Sequence, residues 1–434
     1  LTSIDIRHGD CLEVLRSLED NSVDSVVTDP PYGLSNTKPA QVADVLAAWV
    51  TGDTEAVPAT GKGFMGKTWD GFVPPPAVWA ECLRVLKPGG HMAVFAGART
   101  QDLMGLSIRL AGFEIRDTLG WIYGSGFPKS MDVSKAIDKA AGAEREVVAT
   151  ERSPFRMSDP KIGNVYESTQ SGDTRKVDGD GYIIRELSAP ATDAAKQWSG
   201  WGTALKPAIE PIILARKPLD GTVAANVLSH GVGGLNIDAC RVITSEDTRR
   251  NAAGGENGLN GESTFKIRER RAEDQVMHAG RFPANVLLDE HAAAEMDEQS
   301  GVSVSRKIDG SKARPKVDTV AYGNYGTCPT IRGHEDSGGA SRFFPVFKYQ
   351  AKAPKKERPV IVREDGTKIA HPTVKPVALM EWLVTLITPE GGTTLDPFAG
   401  TGTTLQAARD KGFAAIGVEQ DADYIALIEQ RLSA

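Results

Sequence analysis

Two short β-branched runs, each ending on an acidic corner, constrain this chain more than any other feature. Val23–Thr28 runs into Asp29-Pro30-Pro31-Tyr32, and Thr393–Asp396 runs into Pro397-Phe398-Ala399-Gly400-Thr401-Gly402. Short β-branched runs, closed by Pro and Gly, read as strands rather than helices. Around the first, residues 3–7 alternate as a strand, and residues 11–18 place Leu12, Leu15 and Leu18 on one helical face. A helix at 76–86 is expected to stop at Lys87-Pro88-Gly89-Gly90. A strand at 91–96, a helix at Gln101–Leu110 and a strand at 113–123 follow. Around the second run come helices at 376–387, Thr403–Lys411 and 422–432, with a strand at Ala414–Glu419 and another candidate at 211–215. Strands alternating with helices predict an α/β, doubly wound sheet.

The 434 residues can bury a sizeable core and suggest two or three domains, or one with insertions. No apolar run approaches the ~18–20 residues of a membrane helix, and the N-terminus lacks a basic-then-apolar leader. Cys11, Cys82, Cys240 and Cys328 are scattered without a CxxC pair, so neither a disulfide framework nor a metal site is expected, and a cytoplasmic location is. The overall charge is −7, yet residues 301–370 hold 14 Lys and Arg against 7 Asp and Glu. Such a segment is either a polyanion-binding face or a solvated loop. Residues 154–182 and 244–275 are poor in apolar groups and read as loops.

The glycine corner, Asp396-Pro397-Phe398-Ala399-Gly400-Thr401-Gly402-Thr403, opens a helix, and Glu419 ends the next strand 19 residues after Gly400. Glycines let backbone approach a ligand, and an acid at that distance accepts ribose hydroxyls. Leu405 stands where a dinucleotide fingerprint needs a third glycine, and no Lys or Arg cluster is present for a pyrophosphate. An adenosyl ligand without phosphates fits better. At the other corner, Asp29 and the carbonyl ahead of Pro30 can accept the hydrogens of an exocyclic amine, with Tyr32 as a stacking partner and the prolines as a rigid frame. A plain rigid turn is the alternative.

Together the two corners resemble the DNA amino-methyltransferases that use S-adenosylmethionine to methylate adenine N6 or cytosine N4, in the permuted β-type order of a phage and bacterial branch. Gly9-Asp10, Leu86-Lys87-Pro88-Gly89-Gly90 and His371-Pro372-Thr373-Val374-Lys375-Pro376 extend the resemblance, which is clear over residues 1–140 and 345–434. It implies a Rossmann-like methyltransferase sheet, circularly permuted. Residues 1–220 would form the catalytic half, with a loop insertion at about 130–205. Residues 221–368 would form an inserted target-recognition region, and 369–434 the cofactor half. It implies Asp29, Pro30, Pro31 and Tyr32 as catalytic, and Asp10, Thr373, Lys375, Asp396, Pro397, Phe398, Gly400, Gly402, Thr403 and Glu419 as cofactor-binding. Double-stranded DNA is the implied substrate, with a homodimer and a cognate restriction enzyme left open.

Asp rather than Ser at position 29 favours adenine over cytosine N4 within this resemblance. A catalytically silent nucleic-acid-binding module on the same fold is the third reading. Gly61–Thr68 matches the pattern of a phosphate-binding loop, but no apolar strand precedes it and Pro74-Pro75-Pro76 follows. It reads instead as a loop closing over DNA, with Lys62 and Lys67 on phosphate; Lys352, Lys355 and Lys356 in the basic segment are further DNA contacts. Trp198 and Trp201 are expected to pack rather than to meet DNA.

Overall fold

The computed structural model describes residues 3–59, 70–124, 126, 130–156, 182–243, 280–305, 336–347, 357–363, 365–371 and 373–433. Lys62 and Lys67, Lys352, Lys355 and Lys356, and most of the two expected loops lie outside them. The chain divides into two compact units, one of Leu1–Ser125 with Ala208–Ala434 and one of Gly126–Pro207.

Among the described residues, the main sheet of the larger unit has nine strands: β1 (Ile4–His8), β2 (Val23–Thr28), β3 (Leu86–Phe95), β4 (Glu114–Ile122), β5 (Ile209–Arg216), β6 (Val286–Asp289), β7 (Val346–Phe347), β8 (Thr393–Asp396) and β9 (Ala414–Glu419). Their order across the sheet is β1-β9-β8-β2-β3-β5-β4-β6-β7. Every neighbouring pair is parallel except the two that involve β5, which runs against both β3 and β4.

Period-two alternation divides the core between the two faces of the sheet. Val26, Met92, Val94, Ile213 and Ala215 point to one face and pack with Leu15, Trp49, Trp79 and Ile108 from the helices Cys11–Arg16, Pro39–Thr51, Pro76–Val85 and Gln101–Leu110. Val27, Ala93, Phe95, Ile212 and Leu214 point to the other, against Leu383, Leu405 and Ile428 from Val377–Ile387, Thr403–Lys411 and Ala422–Ser433. Each fully buried Val, Leu, Ile, Phe or Met among them contributes about 1.5–3 kcal/mol. The doubly wound α/β architecture is therefore present.

Several local features differ from the sequence expectation. The helix Pro39–Thr51 is an additional element, although Pro39 at its first turn and a left-handed Gly52 at its end are ordinary start and stop signals. Lys87-Pro88-Gly89-Gly90 does not separate a helix from a strand. It is a bulge inside β3, because Leu86 already pairs with Val23 and the ladder resumes at His91 opposite Ser25. The strand at 211–215 extends to Ile209–Arg216. Within the stretch 221–368, β6 and β7 extend the main sheet beyond β4.

The smaller unit contains the helix Val133–Ala140, an antiparallel pair Val147–Arg156 with Tyr182–Ser188, and the short helix Asp193–Gln197. Asp138 is its organiser, fully buried and accepting hydrogen bonds from the Ala191 and Thr192 amides, the Thr192 hydroxyl and Arg145. Trp198 and Trp201 pack edge to face on each other, centroids 4.9 Å apart, and both rings stay exposed. Among the described residues, no helix is long and apolar enough to cross a membrane.

Candidate active site

Strand order alone singles out one place on the sheet. From β8 the chain leaves through Thr403–Lys411 towards β9, on one side; from β2 it leaves through Pro39–Thr51 and Pro76–Val85 towards β3, on the other. The helices of the two connections pack on opposite faces, so a crevice opens at the carboxyl ends of β8 and β2. Both acidic corners stand there. Thr28 at the end of β2 donates from Oγ1 to Oδ1 of Asp396 at the end of β8, at 2.7 Å.

On the glycine side, Asp396 is buried and also accepts from Thr404 Oγ1 (2.6 Å) and the Phe398 amide (3.1 Å). Burial raises its carboxyl to about 6, against the pull of those hydrogen bonds. Glu419 accepts from the Gly400 amide (2.9 Å) and the Asp421 amide (2.9 Å), and burial raises it to about 7. Gly400 and Gly402 have φ of +54° and +74°, a region that suits glycine, and Gly402 directly precedes Thr403–Lys411. Beneath the turn Arg431 donates to the Thr401 carbonyl (2.7 Å) and hydroxyl (3.2 Å). Pro397 and Thr403 are buried, and Phe398 packs tilted on Trp79 with centroids 6.2 Å apart.

Asp10 stands beside Glu419, since the Gly9 amide donates to the Glu419 carbonyl at 3.0 Å. Its Oδ1 caps the helix Cys11–Arg16 by accepting from the Leu12 and Glu13 amides. Exposed Thr373 is tied to His371, whose ring packs edge to face on Tyr424 with centroids 4.8 Å apart.

On the proline side, Asp29 meets Lys375 rather than solvent alone. Lys375 Nζ lies 2.9 Å from Asp29 Oδ2, 3.0 Å from Glu210 Oε2 and 3.0 Å from the Tyr32 hydroxyl. Lys375 therefore sits with the acid-proline corner, not at the glycine turn. The Tyr32 hydroxyl donates to Glu210 at 3.3 Å. Burial, reinforced by the charges of Asp29 and Glu210, pushes its pKa well above 10, so it remains a neutral donor. The Tyr32 backbone is clamped by Asp70 Oδ1, which accepts from the Tyr32 and Gly33 amides (2.8 and 3.0 Å), and by Thr100, whose hydroxyl donates to the Tyr32 carbonyl (2.6 Å).

Glu210, Asp70, Thr100 and Arg431 were not among the residues singled out by sequence. Glu210 had one legible signal, an acid-proline pair at the entry of an apolar strand. Its meaning depends on strand direction: because β5 is antiparallel, its first residues lie at the edge where β2 and β8 end.

A sheet with its crevice at a switch point, an acid-proline corner on one side and a glycine turn with a terminal acid on the other, has the ligand-site geometry of the α/β class. The chain belongs to the DNA methylase family N6_N4_Mtase, whose profile matches residues 23–430. The type II methyltransferase M.HindIII of Haemophilus influenzae is 24% identical over 301 residues, covering 65% of this chain and 77% of its own length. M.ScaI of Streptomyces caespitosus is 38% identical over 72 residues, 17% of this chain. The chain spans about a quarter of the length of M.ScaI and of M2.DpnII from Streptococcus pneumoniae. Among solved structures, the PvuII DNA methyltransferase (cytosine-N4-specific) aligns over 99% of this chain and 87% of its own, at 13% identity and a TM-score of 0.42.

Proposed function

We propose that this chain is a site-specific DNA methyltransferase that moves a methyl group from S-adenosylmethionine to the exocyclic N6 of an adenine turned out of the duplex. The observation that carries the reading is the Thr28–Asp396 hydrogen bond, which puts the amine-accepting corner and the ligand-holding corner on one sheet edge. Family membership supports the same class of reaction, and Asp29 at the head of the corner supports adenine.

The residues of the glycine side fit the cofactor. Glu419 is a carboxylate at a strand end, placed for ribose hydroxyls, and Gly400 offers backbone without a side chain in the way. Among the described residues, the guanidinium at this turn, Arg431, is already engaged by Thr401, so no cation waits for a phosphate. Asp10, Pro397, Phe398, Gly402, Thr403 and Thr373 complete the holding set. When bound, S-adenosylmethionine supplies a methyl carbon on a cationic sulfur, which an amine lone pair takes up as the carbon–sulfur pair stays with sulfur.

The chain's own groups prepare that amine. An aromatic amine is a poor nucleophile because its lone pair is delocalised into the ring. Asp29 and its backbone carbonyl accept the two N–H hydrogens, which favours a pyramidal nitrogen. Pro30 and Pro31 have no N–H to compete and hold the corner rigid. Tyr32 stacks on the extruded base, offsetting an unstacking cost of a few kcal/mol. Positive charge accumulates on the nitrogen before it sheds a proton, and the Asp29 carboxylate stands beside it. Target recognition is placed in residues 221–368, whose later part holds the surplus positive charge for phosphate; residues 1–220 supply the catalytic half and 369–434 the cofactor half.

Mass analysis of nucleosides from treated DNA tests the reading. N6-methyladenine is the expected product. N4-methylcytosine would overturn the adenine assignment, and no methylated base would overturn the function. Asp29→Ala should abolish transfer while calorimetry finds S-adenosylmethionine binding nearly unchanged. Transfer at the wild-type rate would remove Asp29 from the mechanism.

A further inference from the structure

We propose that Glu210 is a positioning residue for this reaction: it shares Lys375 with Asp29, receives the Tyr32 hydroxyl, and leaves the pocket with one negative charge in excess. The inference rests on the methyl-transfer reading above and assigns a residue that neither acidic corner contains.

The geometry is a compact ion cluster. One ammonium, 12% exposed, bridges two carboxylates at 2.9 and 3.0 Å, whose side chains are 23% and 26% exposed. Two carboxylates against one ammonium leave a net charge of −1. The ammonium also lies 4.8 Å from the Phe95 ring centroid, which holds the cation by the face of an aromatic ring. Glu210 Oε2 receives both Lys375 and the Tyr32 hydroxyl, so it fixes the cation and the stacking residue together.

The charge count matters because of what the reaction brings in. A cationic sulfur enters the crevice, and the positive charge passes to the amine nitrogen. A bare Asp29–Lys375 pair would be neutral and would not favour either. With Glu210 present, the ammonium is divided between two acids, and the pocket stays complementary to an incoming cation. The groups facing the cluster are Asp29 and Tyr32 from the end of β2 and Glu210 from β5; Asp396 from β8, bonded to Thr28, feels the charge of Asp29, and Asp70 and Thr100 hold the Tyr32 backbone. Burial pulls the Lys375 pKa down, but the charges of Asp29 and Glu210 outweigh it and raise it above its ordinary value, so the ammonium persists at working pH.

The test is a set of pH–rate profiles for single-turnover methylation by the full chain. It compares wild type, Glu210→Gln, Lys375→Met and the double variant. Lys375→Met leaves two acids facing each other without a counter-ion. One of them then retains a proton, and the acid limb of the profile moves up by about 1–3 pH units. Adding Glu210→Gln removes the repulsion and returns the limb towards the wild-type position. Glu210→Gln alone, isosteric and fold-preserving, gives Lys375 wholly to Asp29. Its limb moves down, and its maximal rate falls at least about tenfold, with a smaller change in KM for DNA. A merely structural role would lower rates without moving the limb. Limbs of Lys375→Met and Glu210→Gln that coincide with wild type would overturn this inference alone, as would a double variant that stays with Lys375→Met. Wild-type chain that methylates no DNA would overturn the inference together with the reading beneath it.

Discussion

Replacing Glu419 by Gln should change how the stability of the protein depends on pH, by an amount the structure sets. Glu419 carries its proton more tightly in the fold than in the open chain, since burial raises it from its ordinary 4.5 to about 7. A group shifted in this direction stabilises the fold fully below pH 4.5, and that contribution is lost as pH rises through 7. Between pH 5 and pH 8 the wild type should lose about 2.5 kcal/mol from this residue alone. Gln cannot titrate. It does lose one of the two amide contacts, because its single carbonyl cannot accept from both Gly400 and Asp421, but that cost of roughly 1 kcal/mol is the same at both pH values. The stability of Glu419→Gln relative to wild type should therefore climb by about 2.5 kcal/mol between pH 5 and pH 8. Urea unfolding without ligand, followed by the fluorescence of Trp79 against Phe398 and of the other tryptophans, measures it at the two pH values. A relative stability that stays flat would refute the raised carboxyl, and with it the picture of a partly desolvated acid waiting at the glycine turn.

Gly402→Ala should cost about 2–4 kcal/mol in thermal or urea unfolding. Its φ of +74° disfavours any side chain, and a Cβ there would lie 2.9 Å from Ile428 Cγ2. Gly400→Ala, at φ +54° with its nearest contact at 3.7 Å, should cost only about 1–2 kcal/mol; equal losses at the two positions would show that packing against Ile428 is unimportant. Arg431→Met should weaken S-adenosylmethionine binding by roughly tenfold or more in calorimetry, since it leaves the buried Thr401 carbonyl and hydroxyl without their donor. Unchanged affinity would show that the turn keeps its shape without that support.

Much of the fold was legible because its strands are short and sharply ended. Thr393–Asp396, Thr403–Lys411 and Ala414–Glu419 fall where periodicity puts them, since each runs from a turn residue to an acid or a glycine. The bulge at residues 87–90 was not legible. Lys-Pro-Gly-Gly is an ordinary stop signal, and only pairing with β2 shows that the strand begins before it. Asp29 and Glu419 stood out as candidate site residues because one directly follows a strand and the other ends one. Glu210 begins one, and its strand order and direction are set by pairing with β3 and β4, which no local pattern encodes.

By itself the chemistry of the chain determined the two corners, one an acid followed by two prolines and a tyrosine and one an acid followed by a glycine turn, because residue type and local spacing are properties of a few consecutive positions. Their meeting was decided by tertiary structure. Positions 28 and 396 come within a hydrogen bond only because β2 and β8 are neighbours in the sheet. The ion cluster goes further still, joining Asp29, Glu210 and Lys375 from three distant segments. Its net charge belongs to no segment, since the balance of an ammonium between two acids exists only once strand order has set them about 3 Å from it.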